Sequence, residues 1–189
     1  MLYLKLSTVN AGKSMNLLAS AYEYASTNKP IMILKPSTDT RNEGYIYTRA
    51  GLAPRECETF SNDVELLKKL ELAVEKKATV FIDEIQFCDI PQCEIIKAVA
   101  QDINIICYGL LSDYKAQTFP SISCLLAEMP SVDFIKSMCH FCNDRARMNL
   151  RVVGGVPVYE GESISPEVMG EEAYYKVCPK CYYNPPEKI

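Results

Sequence analysis

Apolar residues in the first two-thirds of the 189-residue chain fall into two kinds of run, short unbroken blocks and longer stretches at helical spacing, and the two alternate. Residues 2–6 predict a short first strand that ends at Ser7, and residues 7–14 are small and polar, a loop. Residues 15–25 carry apolar side chains three and four apart and predict a helix, which Asn28, Lys29 and Pro30 break. Residues 31–34 are a brief apolar block, a buried strand. Residues 36–58 are rich in Ser, Thr, Arg, Asn and Gly without a sustained period, so they predict a long mobile loop of the functional or disordered kind. Residues 63–75 predict an amphipathic helix, in which Val64, Leu67, Leu70, Leu72 and Val74 stand among charges. A third strand over 79–82 runs straight into Asp83 and Glu84. A helix over 91–100 follows, with Pro91 in its first turn, and then a fourth buried strand over 103–108. Strands and helices in alternation predict an α/β layer built on a parallel sheet.

The pattern changes near residue 136. Beyond it lie two Cys-x-x-Cys pairs, strand-like runs at 148–153 and 156–159, many turns and no long helix. The expected organisation is an α/β domain over 1–135 and a small lobe over 136–189. There is no internal repeat and no low-complexity tract.

Composition narrows the picture. Hydrophobic residues at 48% and charged residues at 23% are a globular balance, and a chain of this length buries a core without disulfides. The net charge of −4 argues against general nucleic-acid binding, which needs a basic surface. The opening residues turn polar too soon for an export signal, and no apolar run is long enough to span a membrane. Nine cysteines, an odd number with no export signal, fit a reducing cytoplasm with one metal site better than a disulfide framework.

Three motifs carry chemistry. Ser7, Thr8, Val9, Asn10, Ala11, Gly12, Lys13 and Ser14 lie between a strand and a helix, the setting of an ATP phosphate loop. Successive backbone amides would wrap the β-phosphate at the positive end of the helix, Lys13 would reach the β- and γ-phosphates, and Ser14 would ligate Mg²⁺. Ser7 departs from the usual glycine at the first position, which it can do with a negative φ. Asp83 and Glu84 close an apolar strand in the Walker B manner: Asp83 would hold Mg²⁺ and Glu84 could accept a proton from an attacking hydroxyl. Cys139, Cys142, Cys178 and Cys181 form two knuckles that can close a tetrahedral structural zinc site. A catalytic dithiol would need a thioredoxin-like setting, which is missing. His140, the one histidine, lies inside the first knuckle; with no other, Ser–His or Cys–His nucleophilic chemistry has no base.

With these elements in this order, the chain resembles the zinc-containing cellular type of thymidine kinase over residues 2–183. Lys35, Pro36, Asp39 and Arg41 resemble a family segment, which implies that Asp39 and Arg41 lie by the donor phosphates. Asp83-Glu84-Ile85-Gln86-Phe87 is similar to the family's Asp-Glu-x-Gln-Phe, whose Glu is the general base, and the resemblance groups Gln86 with the ATP site. Gly109, Leu110, Asp113, Tyr114 and Phe119 resemble the stretch that packs by the nucleoside, with Tyr114 where Phe is usual. Residues 161–174 resemble the lasso that closes over the base; Val168, Met169 and Gly170 match its Val-Ile-Gly, and Tyr174 its tyrosine. The lasso is one residue shorter than usual and lacks the second Gly.

The resemblance implies a phosphate-loop fold with a zinc-stabilised lobe and transfer of the γ-phosphate of MgATP to the 5′-hydroxyl of thymidine or deoxyuridine, in DNA precursor salvage. It also implies a homotetramer and feedback inhibition by thymidine triphosphate. A phosphate-loop ATPase with a zinc-stabilised partner-binding lobe would share the first two motifs. A zinc-ribbon nucleic-acid module is opposed by the few Lys and Arg near the cysteines.

Overall fold

The computed structural model describes residues 1–40, 44–161 and 172–189. The chain divides into two compact units, one of Met1–Leu6, Gly12–Gly109 and Pro120–Asp133, the other of Ser7–Ala11, Leu110–Phe119 and Phe134–Ile189.

The first unit is the α/β layer. Strand β1 (Leu2–Ser7) leads through the polar loop to helix α1 (Lys13–Ser26), and strand β2 (Ile31–Pro36) follows. Two short strands, β3 (Tyr45–Ile46) and β4 (Arg55–Glu56), pair antiparallel, and β5 (Glu58–Phe60) joins the main sheet. Thus residues 36–58, expected as a loop, hold two pieces of strand and the first residue of a third. Each is two or three residues long, too short to leave a period in the sequence. Helix α2 (Asp63–Glu75) and strand β6 (Thr79–Ile82) stand where the sequence puts them. A 3-10 turn (Ile85–Phe87), helix α3 (Ile90–Val99), strand β7 (Ile105–Leu110), helix α4 (Pro120–Leu126) and strand β8 (Ser131–Phe134) complete the series. The six-stranded sheet has the order β5-β2-β6-β7-β1-β8, and the pairs β2–β5, β2–β6 and β6–β7 are parallel.

The central strands read as continuous apolar runs because both faces are covered: Val80, Phe81 and Ile82 are fully buried, as are Leu34 on β2 and Ile105 and Cys107 on β7. Helix starts follow their caps. Asn62 accepts the Glu65 N–H ahead of α2, and Asp89 and Gln92 form a reciprocal capping box ahead of α3. That box places the start of α3 at Ile90, one residue before the proline that marks it in the sequence. Cys88, Cys93 and Cys107 are buried here, and burial pushes the Cys93 thiol up to about 12, so these cysteines behave as small apolar side chains.

The second unit contains a three-stranded antiparallel sheet of β9 (Met148–Val153), β10 (Val156–Val158) and β11 (Glu172–Val177), in the order β10-β9-β11, followed by helix α5 (Pro179–Tyr183). Leu150 and Val152 of β9 point into a small core with Val177, Tyr182, Cys139 and Cys178. The alternate residues Asn149 and Arg151 project from the other side of the strand. Among the described residues no helix is long and apolar enough to cross a membrane.

Candidate active site

The loop between β1 and α1 owes its shape to two left-handed residues, Asn10 (φ 53°) and Gly12 (φ 87°). Asparagine tolerates this region and glycine enters it freely. Ser7 does not have a positive φ, so the serine at the first loop position meets no backbone obstacle. Helix α1 has no side-chain cap, in contrast to α2 and α3. Its first N–H groups therefore remain available to an anion at the positive end of the helix.

In the first unit, the acidic pair closes against the start of α1. Ser14 Oγ lies 3.5 Å from Asp83 Oδ2, and Lys13 Nζ lies 3.5 Å from Glu84 Oε1. Gln86 Nε2 donates to the other Glu84 oxygen, and Glu84 N–H donates to Asp83 Oδ1 at 2.9 Å. Glu84 has a φ of 52°, a conformation costing a non-glycine residue about 1–3 kcal/mol and typical of functional positions. Burial, and after it the charge on Glu84, pushes the Asp83 carboxyl up to about 7, with Lys13 pulling the other way. A divalent cation beside Ser14 and Asp83 would favour the charged carboxylate. Lys35 and Asp39 form a buried ion pair at 3.4 Å, and Asp39 is close enough to add to the upward push on Asp83. Arg41 lies outside the described residues.

Gly109, on β7, abuts the turn that carries these groups. A Cβ there would stand 2.5 Å from Ile85 Cγ2 and 2.9 Å from Gln86 Oε1, so only glycine fits. The sequence signal for it is a glycine inside an otherwise apolar strand.

In the second unit, Tyr114 is almost wholly buried and its ring meets Tyr174 edge-on at 6.4 Å. Its hydroxyl, an addition to the phenylalanine expected at this position, donates to the Glu160 carbonyl at 2.8 Å. Arg151 stands over the Tyr114 ring at 5.1 Å and is itself held by Glu172 at 2.7 Å. Burial, reinforced by Glu172, pushes the Tyr174 hydroxyl well above its usual range, so it stays protonated. Phe119 is buried in the same unit. Val168, Met169 and Gly170 lie outside the described residues. Arg151 and Glu172 escape sequence reading because charged residues in short strands look like ordinary surface.

Cys139, Cys142, Cys178 and Cys181 offer four sulfurs within 4.8 Å of one another. The separations Cys142–Cys178 and Cys142–Cys181 are 3.6 and 3.7 Å. Tetrahedral thiolates about 2.3 Å from one Zn²⁺ would be about 3.8 Å apart. The cluster therefore fits zinc and is far from disulfide distance. Burial opposes a charge on Cys139, but N–H bonds from Cys178, Phe141 and Cys142 outweigh it and bring this thiol down to about 7, whereas Cys142 is raised and Cys181 is pushed up to about 12, chiefly by burial. His140 is no competitor: its ring packs on Phe141 and Tyr175.

A sequence model of the family described as "Thymidine kinase" matches residues 1–182. The chain belongs to the thymidine kinase family. A protein named "Thymidine kinase" from Streptococcus agalactiae serotype Ia is 34% identical over 187 residues, covering 97% of each chain. One of the same name from Streptococcus pyogenes serotype M3 is 35% identical over 187 residues, again 97% of each. In the first unit this chain brings together a lysine, a serine, an acidic pair and a glutamine, side-chain types that phosphoryl transfer can use.

Proposed function

We propose that the enzyme transfers the γ-phosphate of MgATP to the 5′-hydroxyl of thymidine, and of deoxyuridine, releasing ADP and the 5′-monophosphate. The observation that carries this reading is the Glu84 carboxylate, held by Lys13 on one oxygen and Gln86 on the other, in a chain of the thymidine kinase family. The amides of the 7–14 loop would receive the donor phosphates. Lys13 would exchange Glu84 for phosphate oxygens, leaving the carboxylate free to accept the hydroxyl proton with Gln86 still orienting it. Ser14 and Asp83 would hold Mg²⁺, which when bound neutralises charge on the transferring phosphoryl group. Asp39 and Arg41 would complete the donor side. The transition state is loose, so positioning and electrostatics supply most of the rate.

Residues 136–189 are proposed as the lobe that serves the acceptor, and 1–135 as the donor domain. Tyr114, Phe119 and Tyr174 would flank the base. Main-chain groups of 161–174, among them Val168, Met169 and Gly170, would read it. Uracil-type bases present two carbonyl acceptors and a ring N–H donor; cytosine reverses two of these, leaving buried groups unpaired at about 1–3 kcal/mol each. The four cysteines would hold one structural Zn²⁺ per chain. A homotetramer in the cytoplasm, with thymidine triphosphate as a feedback inhibitor reaching both sites, completes the proposal.

The experiment is ADP formation with each of the four deoxynucleosides and deoxyuridine, and with none. Thymidine and deoxyuridine should be turned over and deoxycytidine rejected by several decades, as polar mismatch can achieve. Deoxycytidine turnover within about ten-fold of thymidine would contradict this account of base reading. Equal ADP formation without any nucleoside would favour simple ATP hydrolysis.

A further inference from the structure

The first half of the phosphate loop, Ser7–Ala11, belongs to the second unit, and what holds it there is a pair of side chains on neighbouring strands. Asn149 of β9 and Lys176 of β11 are direct cross-strand partners. Asn149 is 2% exposed. Its Oδ1 accepts the Val9 N–H at 2.9 Å and its Nδ2 donates to the Ser112 carbonyl at 2.7 Å. The amide cannot turn over, since that would set donor against donor and acceptor against acceptor. Lys176 Nζ donates to the Asn10 carbonyl at 3.0 Å, and Asn10 Nδ2 donates to the Tyr174 carbonyl at 3.4 Å. Two adjacent strand positions thus grip two successive loop residues, one by its N–H and the next by its C=O. The gripped residue Asn10 is also the one with a φ of 53°.

We propose that Asn149 and Lys176 are positioning residues for the phosphate donor: a cross-strand clamp that fixes the loop before the nucleotide arrives. The inference rests on the reading of residues 7–14 as the donor loop. A loop of small polar residues loses conformational freedom when it wraps a phosphate, and that loss weakens binding unless the loop is already ordered. The clamp spends Val9 N–H on Asn149, so the amides it presents to a phosphate begin after Val9. It touches neither Glu84 nor Tyr114 and meets Tyr174 through the main-chain carbonyl and not the ring, so removing it should weaken the donor and spare the nucleoside.

The test compares Asn149→Ala and Lys176→Met with the wild type, by calorimetric titration with MgADP and, separately, with thymidine. Zinc content and thermal midpoint are followed alongside. Each variant should lose at least about five-fold in MgADP affinity, the effect of one unsatisfied or missing hydrogen bond. Thymidine affinity should stay within about two-fold of wild type. In turnover, the KM for ATP should rise by a larger factor than kcat falls. Lys176 makes an exposed contact, so Lys176→Met decides the matter if Asn149→Ala loses zinc or fails to fold. Unchanged MgADP affinity in a folded variant, or equal losses for MgADP and thymidine, would overturn the clamp. A wild type that fails to bind MgADP would instead remove the donor-loop reading on which it rests.

Discussion

At the scale of single residues, Glu84 carries the most. A left-handed backbone, a lysine on one carboxylate oxygen and a glutamine amide on the other are costs and constraints that a turn residue of no consequence would not accumulate. Glu84→Gln keeps the shape and removes the ability to take a proton. Turnover should fall by about two to four decades, the usual worth of a general base. MgADP affinity, measured by titration, should stay within a few-fold. A variant that turns over within a few-fold of wild type would leave Glu84 without that role. The sequence showed this glutamate by its place after an apolar strand. It could not show that Gln86 meets that carboxylate, because the meeting depends on the left-handed backbone of Glu84 and the 3-10 turn that follows it.

At the scale of elements, strand β7 and the turn after β6 act as one piece. Gly109→Ala would push a methyl group against Ile85 and Gln86, with no open direction. Overpacking of this kind costs about 1–3 kcal/mol. Because Gln86 contacts Glu84, the displacement should lower kcat as well as the denaturation midpoint; a stability loss with unchanged kcat would uncouple β7 from the site. Helix α2 gives the contrast. Asn62→Ala removes the acceptor for the Glu65 N–H and should cost about 1 kcal/mol by chemical denaturation. It should leave kcat alone, since α2 contributes no group to the site. Helix α2 is legible in its apolar spacing and α3 in the proline of its first turn, both local signals, but the face that α2 buries is Leu66, Leu70 and Ala73, and Val64, Leu67 and Leu72 are exposed. Strands β3, β4 and β5 are not legible, because pairing and not pattern makes them strands.

At the scale of the molecule, the second unit depends on its cysteines. Among the described residues, the cluster beneath its sheet has six buried members, and two of them are Cys139 and Cys178, so the thiols are part of the core itself. Zinc binding should therefore be folding energy for this unit. Freshly purified protein should contain one zinc per chain by metal analysis. Replacing Cys142 and Cys181 by Ser should abolish zinc retention and unfold this unit first, seen as hydrogen exchange confined to its strands. Since Ser7–Ala11 is part of the unit, the same variant should lose MgADP binding together with nucleoside binding. Full activity in a zinc-free variant would contradict the structural role.

The sequence by itself determined the alternation of strands and helices, the family, the acidic pair and the four thiols. Each rests on spacing within a short stretch of chain: a buried strand is a run of apolar residues, and a zinc knuckle needs its two cysteines three apart. The tertiary structure decided what meets across long separations. It joined Gln86 to Gly109, Arg151 to Tyr114 and Asn149 to Val9. It also assigned Ser7–Ala11, the first half of the proposed donor loop, to the unit of the C-terminal strands. None of these leaves a local signature. A hydrogen bond between residues more than a hundred positions apart depends on where the whole chain places them, and no periodicity within either segment records the other's position.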